Sequence, residues 1–242
     1  MISFFRRRLE RLEQKYVAIH DFQEREQLVK FVRAHSPQHL EAAQVRILDV
    51  GCGFGANMKA LIHAGFTNVL GVDLNPNTVA RNRDKGLDSV HADDFDGSDF
   101  DILIMAHVIE HLQPAELKTF LDRYLDALKP GGVLIVSTPL IWEGFYQDFD
   151  HIKPYYPKGL LAVFDRSGEQ VAYYGRNALE LDGIPWVRKM PYVVSGHKYF
   201  LLQPFSLTER WIQVGLSFFF YSSRRRIGKP NGWMAVYRKV PR

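Results

Sequence analysis

The segment Ile47-Leu48-Asp49-Val50 runs directly into Gly51-Cys52-Gly53-Phe54-Gly55, and this junction constrains the fold more than anything else in the chain. A short apolar run ending in alternating glycines reads as a buried strand, a tight turn and then a helix. Residues without a Cβ let the backbone turn sharply and let a ligand approach it closely. The same rhythm continues downstream. Strands are predicted at 45–50, 68–73, 88–92, 100–105 and 132–138, with helices near 55–65, 76–85 and 114–128 between them. That alternation is the sequence form of a parallel sheet with helices on both faces. Lys129-Pro130-Gly131-Gly132 stops the last of these helices, since proline and paired glycine do not continue one.

Ahead of this core, Leu9, Leu12, Tyr16, Ile19, Leu28 and Phe31 recur mostly at three- and four-residue spacing, which predicts an amphipathic helical segment within 1–40. The main domain then covers 41–242. Its first half, 45–140, carries the glycine turn. Its second half, 141–242, is broken by Pro154, Pro157, Pro185, Pro191 and Pro204 and is rich in aromatics, which reads as a cap inserted before the sheet closes. Helices are expected near 157–167 and 206–221, and closing strands at Val171–Tyr174 and Trp233–Val240.

Charge and cysteine content narrow the partners. With 31 basic against 27 acidic residues, the balance is too even for a general polyanion binder, so no nucleic-acid partner is expected. The single cysteine, Cys52, excludes an intrachain disulfide and fits a reducing cytoplasm. The start, MISFFRRRLERLEQ, lacks the order of a secretion signal. The apolar stretch Trp211 to Tyr221 is about half of the roughly 20 residues that span a bilayer. Arg224, Arg225 and Arg226 follow it, as Arg6, Arg7 and Arg8 follow Phe4 and Phe5. Two readings stay open for these blocks: helix faces buried in the protein, or peripheral contact with the inner, anionic face of a membrane. Oligomeric state is not fixed by the sequence.

Gly51, Gly53 and Ala56 satisfy a G-x-G-x-x-A dinucleotide fingerprint, so a nicotinamide oxidoreductase has to be weighed. Asp49 argues otherwise. A carboxylate beside the turn repels a pyrophosphate but favours S-adenosylmethionine, which has no phosphate and carries a sulfonium and an ammonium. If Asp49 merely bonded the turn's own amides, it would not distinguish the two. Asp73, closing the second strand, suits ribose hydroxyls in either class.

The stretch LDVGCGFG resembles the first motif of class I S-adenosylmethionine-dependent methyltransferases. Val72-Asp73, Ala92-Asp93-Asp94-Phe95 and Lys129-Pro130-Gly131-Gly132-Val133-Leu134 follow in that family's order. The resemblance covers about 45–140 and is nearest to the branch of ubiquinone and menaquinone O-methyltransferases. It implies a Rossmann-like, seven-stranded, mostly parallel sheet and S-adenosylmethionine as cofactor. The implied contacts are Asp49, Gly51, Cys52, Gly53, Asp73, Leu74, Asp93, Asp94, Phe95 and Ala106, with an acid at 93 or 94 on the adenine amino group and an apolar neighbour over the ring. With Asp96 and Asp99, those acids could equally form a solvated loop.

Methyl transfer mainly requires aligning a nucleophile with an activated carbon and excluding water. A hydroxyl acceptor also needs a base, a role suited to histidine. Ala106-His107-Val108-Ile109-Glu110-His111 falls where the family places the cofactor's methionine end, and Asp150-His151-Ile152-Lys153-Pro154-Tyr155-Tyr156-Pro157 resembles a segment at the rim of the acceptor pocket. The catalytic candidates are therefore His111 and His151, then His107. Read as one helical turn, His107, Glu110 and His111 share a face. Their H-x-x-E-H spelling is also that of a zinc protease, but it lacks that class's helical scaffold and further ligand. Some quinone methyltransferases carry a metal cluster here with Glu where this chain has His107, and that departure leads to no metal being expected. Glu110 or His111 could instead cap the next helix. Cys52 is expected to be small among glycines and not a nucleophile.

Trp142, Phe145, Tyr146, Tyr155, Tyr156 and Trp186 suit an apolar or ring-bearing acceptor, or an ordinary cap core. The resulting expectation is O-methylation of a small or lipid-linked acceptor. A nicotinamide oxidoreductase and a non-catalytic binding module of the same fold remain the alternatives.

Overall fold

A computed structural model describes residues 23–166, 173–196 and 203–242. Its strands are β1 (Ile47–Val50), β2 (Val69–Asp73), β3 (Ser89–His91), β4 (Phe100–Ala106), β5 (Leu128–Pro139), β6 (Ala178–Leu181), β7 (Trp186–Met190) and β8 (Lys229–Val240). The first five are parallel, and the sheet order is β3-β2-β1-β4-β5-β8-β6, with β7 also on β8. β8 runs antiparallel to β5. Along its outer edge β6 pairs with Tyr237 to Val240 and β7 with Lys229 to Met234. The seven expected positions across the sheet are therefore present. The outermost is filled by two successive segments, which makes eight strands in all.

Of the expected closing strand Val171–Tyr174, residues 171 and 172 lie outside the described residues and Tyr173 and Tyr174 are not in a strand. The outer edge is formed instead by the later segments β6 and β7. Within the expected helical region 1–40, only 23 onward is described.

Helix α1 is described over 23–35. It is followed by α2 (Ala56–His63), α3 (Pro76–Arg83), α4 (Pro114–Asp126), α5 (Pro157–Phe164) and α6 (Leu207–Ser222). Proline opens α3, α4 and α5, where its missing N–H is unneeded. The Asn75 side chain accepts the Asn77 amide at the start of α3. At α4 a capping box joins Gln113 and Glu116. Glu110 and His111 therefore do not cap this helix, because Gln113 stands nearer its first turn and fills that role.

Alternation along the strands splits the core into two faces. Leu48, Val50, Leu103, Met105, Leu134 and Val136 pack with Leu117, Leu121 and Leu125 of α4, and with Tyr155, Leu160 and Phe164 in and around α5. Ile47, Ile102, Ile104, Val133 and Ile135 pack on the other side with Leu28 and Val32 of α1 and Met58 and Leu61 of α2. The start of what reads as cap, Tyr155 to Phe164, is thus woven into the first face. Trp186 packs against the second, so the expected acceptor aromatics are divided between the two faces. The turns after β1, β4 and β5 open at the carboxyl edge of the parallel strands. Because Gly232 pairs with Pro139 and Lys229 with Met190, α6 joins β7 to β8 at that same edge.

Candidate active site

The glycine turn hangs from β2, with the Gly51 and Cys52 amides donating to the Val72 carbonyl at 2.8 and 3.0 Å. Gly51 and Gly53 both hold left-handed backbone, at φ 70° and 50°. They differ in what a side chain would meet. A Cβ on Gly51 would stand 2.4 Å from Val108 Cγ2, whereas one on Gly53 would meet nothing within 4 Å. Gly51 makes room for the protein itself, and Gly53 leaves an open cradle. Asn82 Nδ2 donates to the Gly53 carbonyl at 2.8 Å and holds the turn from below.

Asp49 lies beneath this turn and is fully buried. Its polar neighbour is the Asn57 side-chain amide, and it does not bond the turn's amides. Asp73 does that instead, accepting from Gly53 N and Asn75 N at 2.9 Å each. Burial raises Asp49 to about 7, with the Asn57 amide opposing the shift and the charge of Asp73 adding to it. A buried carboxylate without a cationic partner is costly, and a cationic ligand in the cradle would lower that cost. A diphosphate would set further negative charge beside two carboxylates. The donor set therefore fits S-adenosylmethionine, and each Asp73 oxygen keeps a lone pair for a hydroxyl.

Leu74 stands 71% exposed next to Asp73. Its carbonyl accepts His91 Nε2–H at 2.8 Å, while His91 Nδ1 accepts the Asp93 amide at 3.3 Å. His91, passed over in the sequence, thereby ties the segment after β2 to the Asp93 turn. Asp93 and Asp94 are exposed, and Ala106 is half-buried at the end of β4. Phe95 points its ring toward Tyr124 and Phe100, at 5.5 and 6.1 Å between centroids, and packs against the core. Leu74 is therefore the better placed of the two to cover a ring. Cys52 is buried, and burial, then Asp49 and Asp73, push its thiol up to about 12, consistent with a packing role.

Beside the glycine turn lies a second turn at 107–111. His107 holds left-handed backbone at φ 57°. Its Nε2 lies 3.0 Å from Glu24 Oε1 and its Nδ1 3.2 Å from Glu110 Oε1. Glu24 also receives Ser137 Oγ and Arg188 Nη1, and Thr138 Oγ1 donates to Glu110 at 2.9 Å. His107 is raised to about 10: burial opposes the shift, but the charge of Glu24 and the bonds to Glu110 and Glu24 outweigh it. Glu24 and Glu110 are both held below the usual carboxylate range: burial works against this, and His107 more than offsets it. At neutral pH His107 is a clamped imidazolium and makes a poor base.

His111 and His151 are brought together, with ring centroids 4.9 Å apart. His151 Nδ1–H donates to the Phe145 carbonyl at 2.7 Å and His111 Nδ1–H to the Asp150 carbonyl at 3.2 Å. His151 Nε2 faces Asp148 Oδ2 at 3.6 Å, and His111 Nδ1 also lies 3.3 Å from Asp150 Oδ2. The amide of Ile152 bonds the Glu110 carbonyl at 2.8 Å, and Tyr155 Oη bonds the Leu112 carbonyl at 2.8 Å, so the 150–157 segment is stitched onto the second turn. Glu110, His111 and His151 each offer a ligand atom within 4.8 Å of the others, and among the described residues this is the group that could hold a metal ion. Glu24, Arg188, Ser137 and Thr138 were not among the expected site residues. Nothing near 107 in sequence announces them.

Residues 4–215 match the family described as "Methyltransferase domain". The chain is 31% identical over 121 residues to a ubiquinone biosynthesis O-methyltransferase of Chelativorans sp., covering 44% of this chain and 47% of that protein. It is 29% identical over 110 residues to a carboxy-S-adenosyl-L-methionine synthase of Aliivibrio salmonicida, covering 40% and 46%. The chain thus spans about half the length of the curated relatives it matches. In fold it is similar to a SAM-dependent methyltransferase from Archaeoglobus fulgidus, with TM-score 0.53 and 19% identity over 89% of this chain and 94% of that one. A second solved structure, an S-adenosylmethionine-dependent methyltransferase from Mesorhizobium loti, gives TM-score 0.51 and 19% identity over 86% and 96%.

Proposed function

This chain belongs to the methyltransferase-domain family of Rossmann-like, S-adenosylmethionine-dependent enzymes, and on that premise we propose that it methylates an oxygen of a small or lipid-linked acceptor. The observation that carries the reading is Asp49, a buried carboxylate without a cationic partner under an open glycine cradle. When bound there, S-adenosylmethionine supplies a methyl group already activated by a sulfonium. Asp49 offsets positive charge, Asp73 takes the ribose hydroxyls, and Leu74 covers the adenine ring, with Asp93 or Asp94 at its amino group. Buried Phe145 and Tyr155 pack beside the histidine pair and help keep water from the acceptor.

For a hydroxyl acceptor the proton goes to Nε2 of His151 or His111, whose Nδ1–H groups are already committed to carbonyls. His107 holds Glu110 and the turn in place and does not act as the base. No helix among the described residues is long and apolar enough to cross a membrane. A lipid-linked acceptor would therefore be met by peripheral contact, with the rest of the enzyme in the cytoplasm.

Calorimetry separates this reading from an oxidoreductase: S-adenosylhomocysteine is expected to bind and NADH is not. Asp49→Asn sharpens the test. Its raised value means that the unfolded chain releases this proton from pH 3.8 upward while the folded one keeps it to about 7, so the variant gains stability relative to the parent as pH rises from 3.8 to about 7 and holds that gain above it. Its affinity for S-adenosylhomocysteine falls at the same time. If affinity held, Asp49 would have no part in the cofactor site. Binding without transfer to any acceptor in a panel of phenols and hydroxylated quinones would mark a non-catalytic module.

A further inference from the structure

Helix α6 bonds the protein through Glu209 and Gln213 and buries Phe220, while a row of its apolar side chains faces outward. Glu209 accepts from Ser195 Oγ at 2.7 Å and from its own N-terminal Ser206 amide at 2.8 Å. Gln213 accepts the Val194 amide at 2.9 Å and donates to the Tyr192 carbonyl at 3.1 Å. On the opposite side Leu207, Trp211, Val214 and Phe218 follow one another at helical spacing and are 75%, 74%, 56% and 73% exposed. A helix that bonds the protein through its polar face while showing water a row of large apolar side chains is arranged for a second, apolar surface.

The charges around that row identify the surface. The only acid of the helix, Glu209, faces inward, while Arg210 flanks the row and Arg224 and Arg226 follow its end, all three exposed. Aromatic and aliphatic side chains with arginines at the margin match the boundary between acyl chains and anionic headgroups. The row is about 16 Å long, enough to lie flat in that boundary and too short to cross it. It also sits at the carboxyl edge of the sheet, where the glycine and histidine turns open.

We propose that the outward row of α6 is a docking face for an anionic lipid bilayer, with Leu207, Trp211, Val214 and Phe218 entering the interface and Arg210, Arg224 and Arg226 meeting lipid phosphates. The docking brings the acceptor side of the site against the surface, and that benefit rests on the lipid-linked acceptor proposed above. The docking itself does not.

The test is cosedimentation of the full chain with vesicles of phosphatidylcholine alone and of phosphatidylcholine with phosphatidylglycerol, at low and high salt. Binding to the anionic vesicles is expected, weakened by salt. The double variant Trp211→Glu, Phe218→Glu should lose it by about tenfold or more. Arg224→Ala with Arg226→Ala should remove most of the preference for phosphatidylglycerol. S-adenosylhomocysteine affinity reports that each variant is folded, and it should stay at the parent value. Failure of the parent to bind anionic vesicles overturns the proposal, as does a double variant that binds like the parent. A dimer that the double variant dissociates, without vesicle binding, assigns the row to a second copy and overturns it too. Vesicle binding without methylation of any membrane-embedded acceptor would sink the lipid-linked reading and leave the docking face standing. Such methylation without measurable vesicle binding would do the reverse.

Discussion

The turn after β1 and the turn after β4 open side by side, yet they are held by materials from different distances. The glycine turn is fixed from within its own neighbourhood, by Asp73 at 20 residues' separation and Asn82 at 29. The histidine turn is fixed by Glu24 and Arg188, which lie 83 and 81 residues from His107. One is a backbone shape with a single buried carboxylate left without a cation. The other is a network of charges that joins α1, β4, β5 and β7. The first is organised to receive a ligand, and the second to hold parts of the chain together around it.

The largest effect should come from breaking the remote network. Glu24→Ala leaves Arg188 and the part-exposed His107 without their shared carboxylate, and breaking the largely buried Glu24–Arg188 pair costs about 3–5 kcal/mol. Urea unfolding measures this, and a loss below about 1 kcal/mol would reduce the network to an exposed pair. The pH dependence has a definite sign. Glu24 is depressed, so its contribution is present above the ordinary carboxylate value of 4.5 and is lost as pH falls below it. His107 is raised, so its contribution is complete below the ordinary 6.5 and is lost as pH rises toward about 10. The difference between parent and variant should therefore be widest between those two ordinary values and narrow on both sides. A difference that stays flat across the range would break the comparison.

Next comes the wall that the two turns share. Gly51→Ala asks a side chain to adopt left-handed backbone, at about 1–2 kcal/mol, and drives its methyl into Val108. Overpacking of that kind adds about 1–3 kcal/mol. A melting temperature close to the parent's would mean that Val108 moves aside freely and that the two turns are not in firm contact.

Asp73→Ala tests the local turn as a binding device. It should weaken S-adenosylhomocysteine by about 1–3 kcal/mol, the range for losing a charged hydrogen-bond acceptor, read by calorimetry. Unchanged affinity would move the ribose elsewhere and leave Asp73 a purely structural brace for Gly53 and Asn75.

The same difference in distance governs what could be read in advance. The sheet, its helices and the glycine turn follow from patterns a few residues long: apolar runs, prolines at helix starts, and glycines after a strand. Asp49 could be singled out because its position in the run, two residues before Gly51, puts it under the turn. His111 and His151 could be proposed as partners only through a resemblance, and the contact between them is made by the backbone stitches from Glu110 and Leu112 to the following segment. Glu24 and Arg188 carry no local signal. They are ordinary charged residues until the sheet brings α1 and β7 to the same corner. The outer edge differs for a related reason: Tyr173 and Tyr174 have strand-like composition but lie outside any strand, and the free edge of β8 is taken by β6 and β7, a tertiary pairing that composition does not fix.

The smallest change in stability belongs to Gly53→Ala, and it isolates what the glycine turn is for. Left-handed backbone costs this variant about 1 kcal/mol, with no clash to add, because a Cβ there meets nothing within 4 Å. That space is the cradle itself. The variant should fold nearly as well as the parent and bind S-adenosylhomocysteine more weakly, whereas Gly51→Ala loses stability first. If Gly53→Ala bound the cofactor product as tightly as the parent, the open space over Gly53 would not be where it lies. The distinction between a glycine kept for the protein and one kept for a ligand would then fail at this turn.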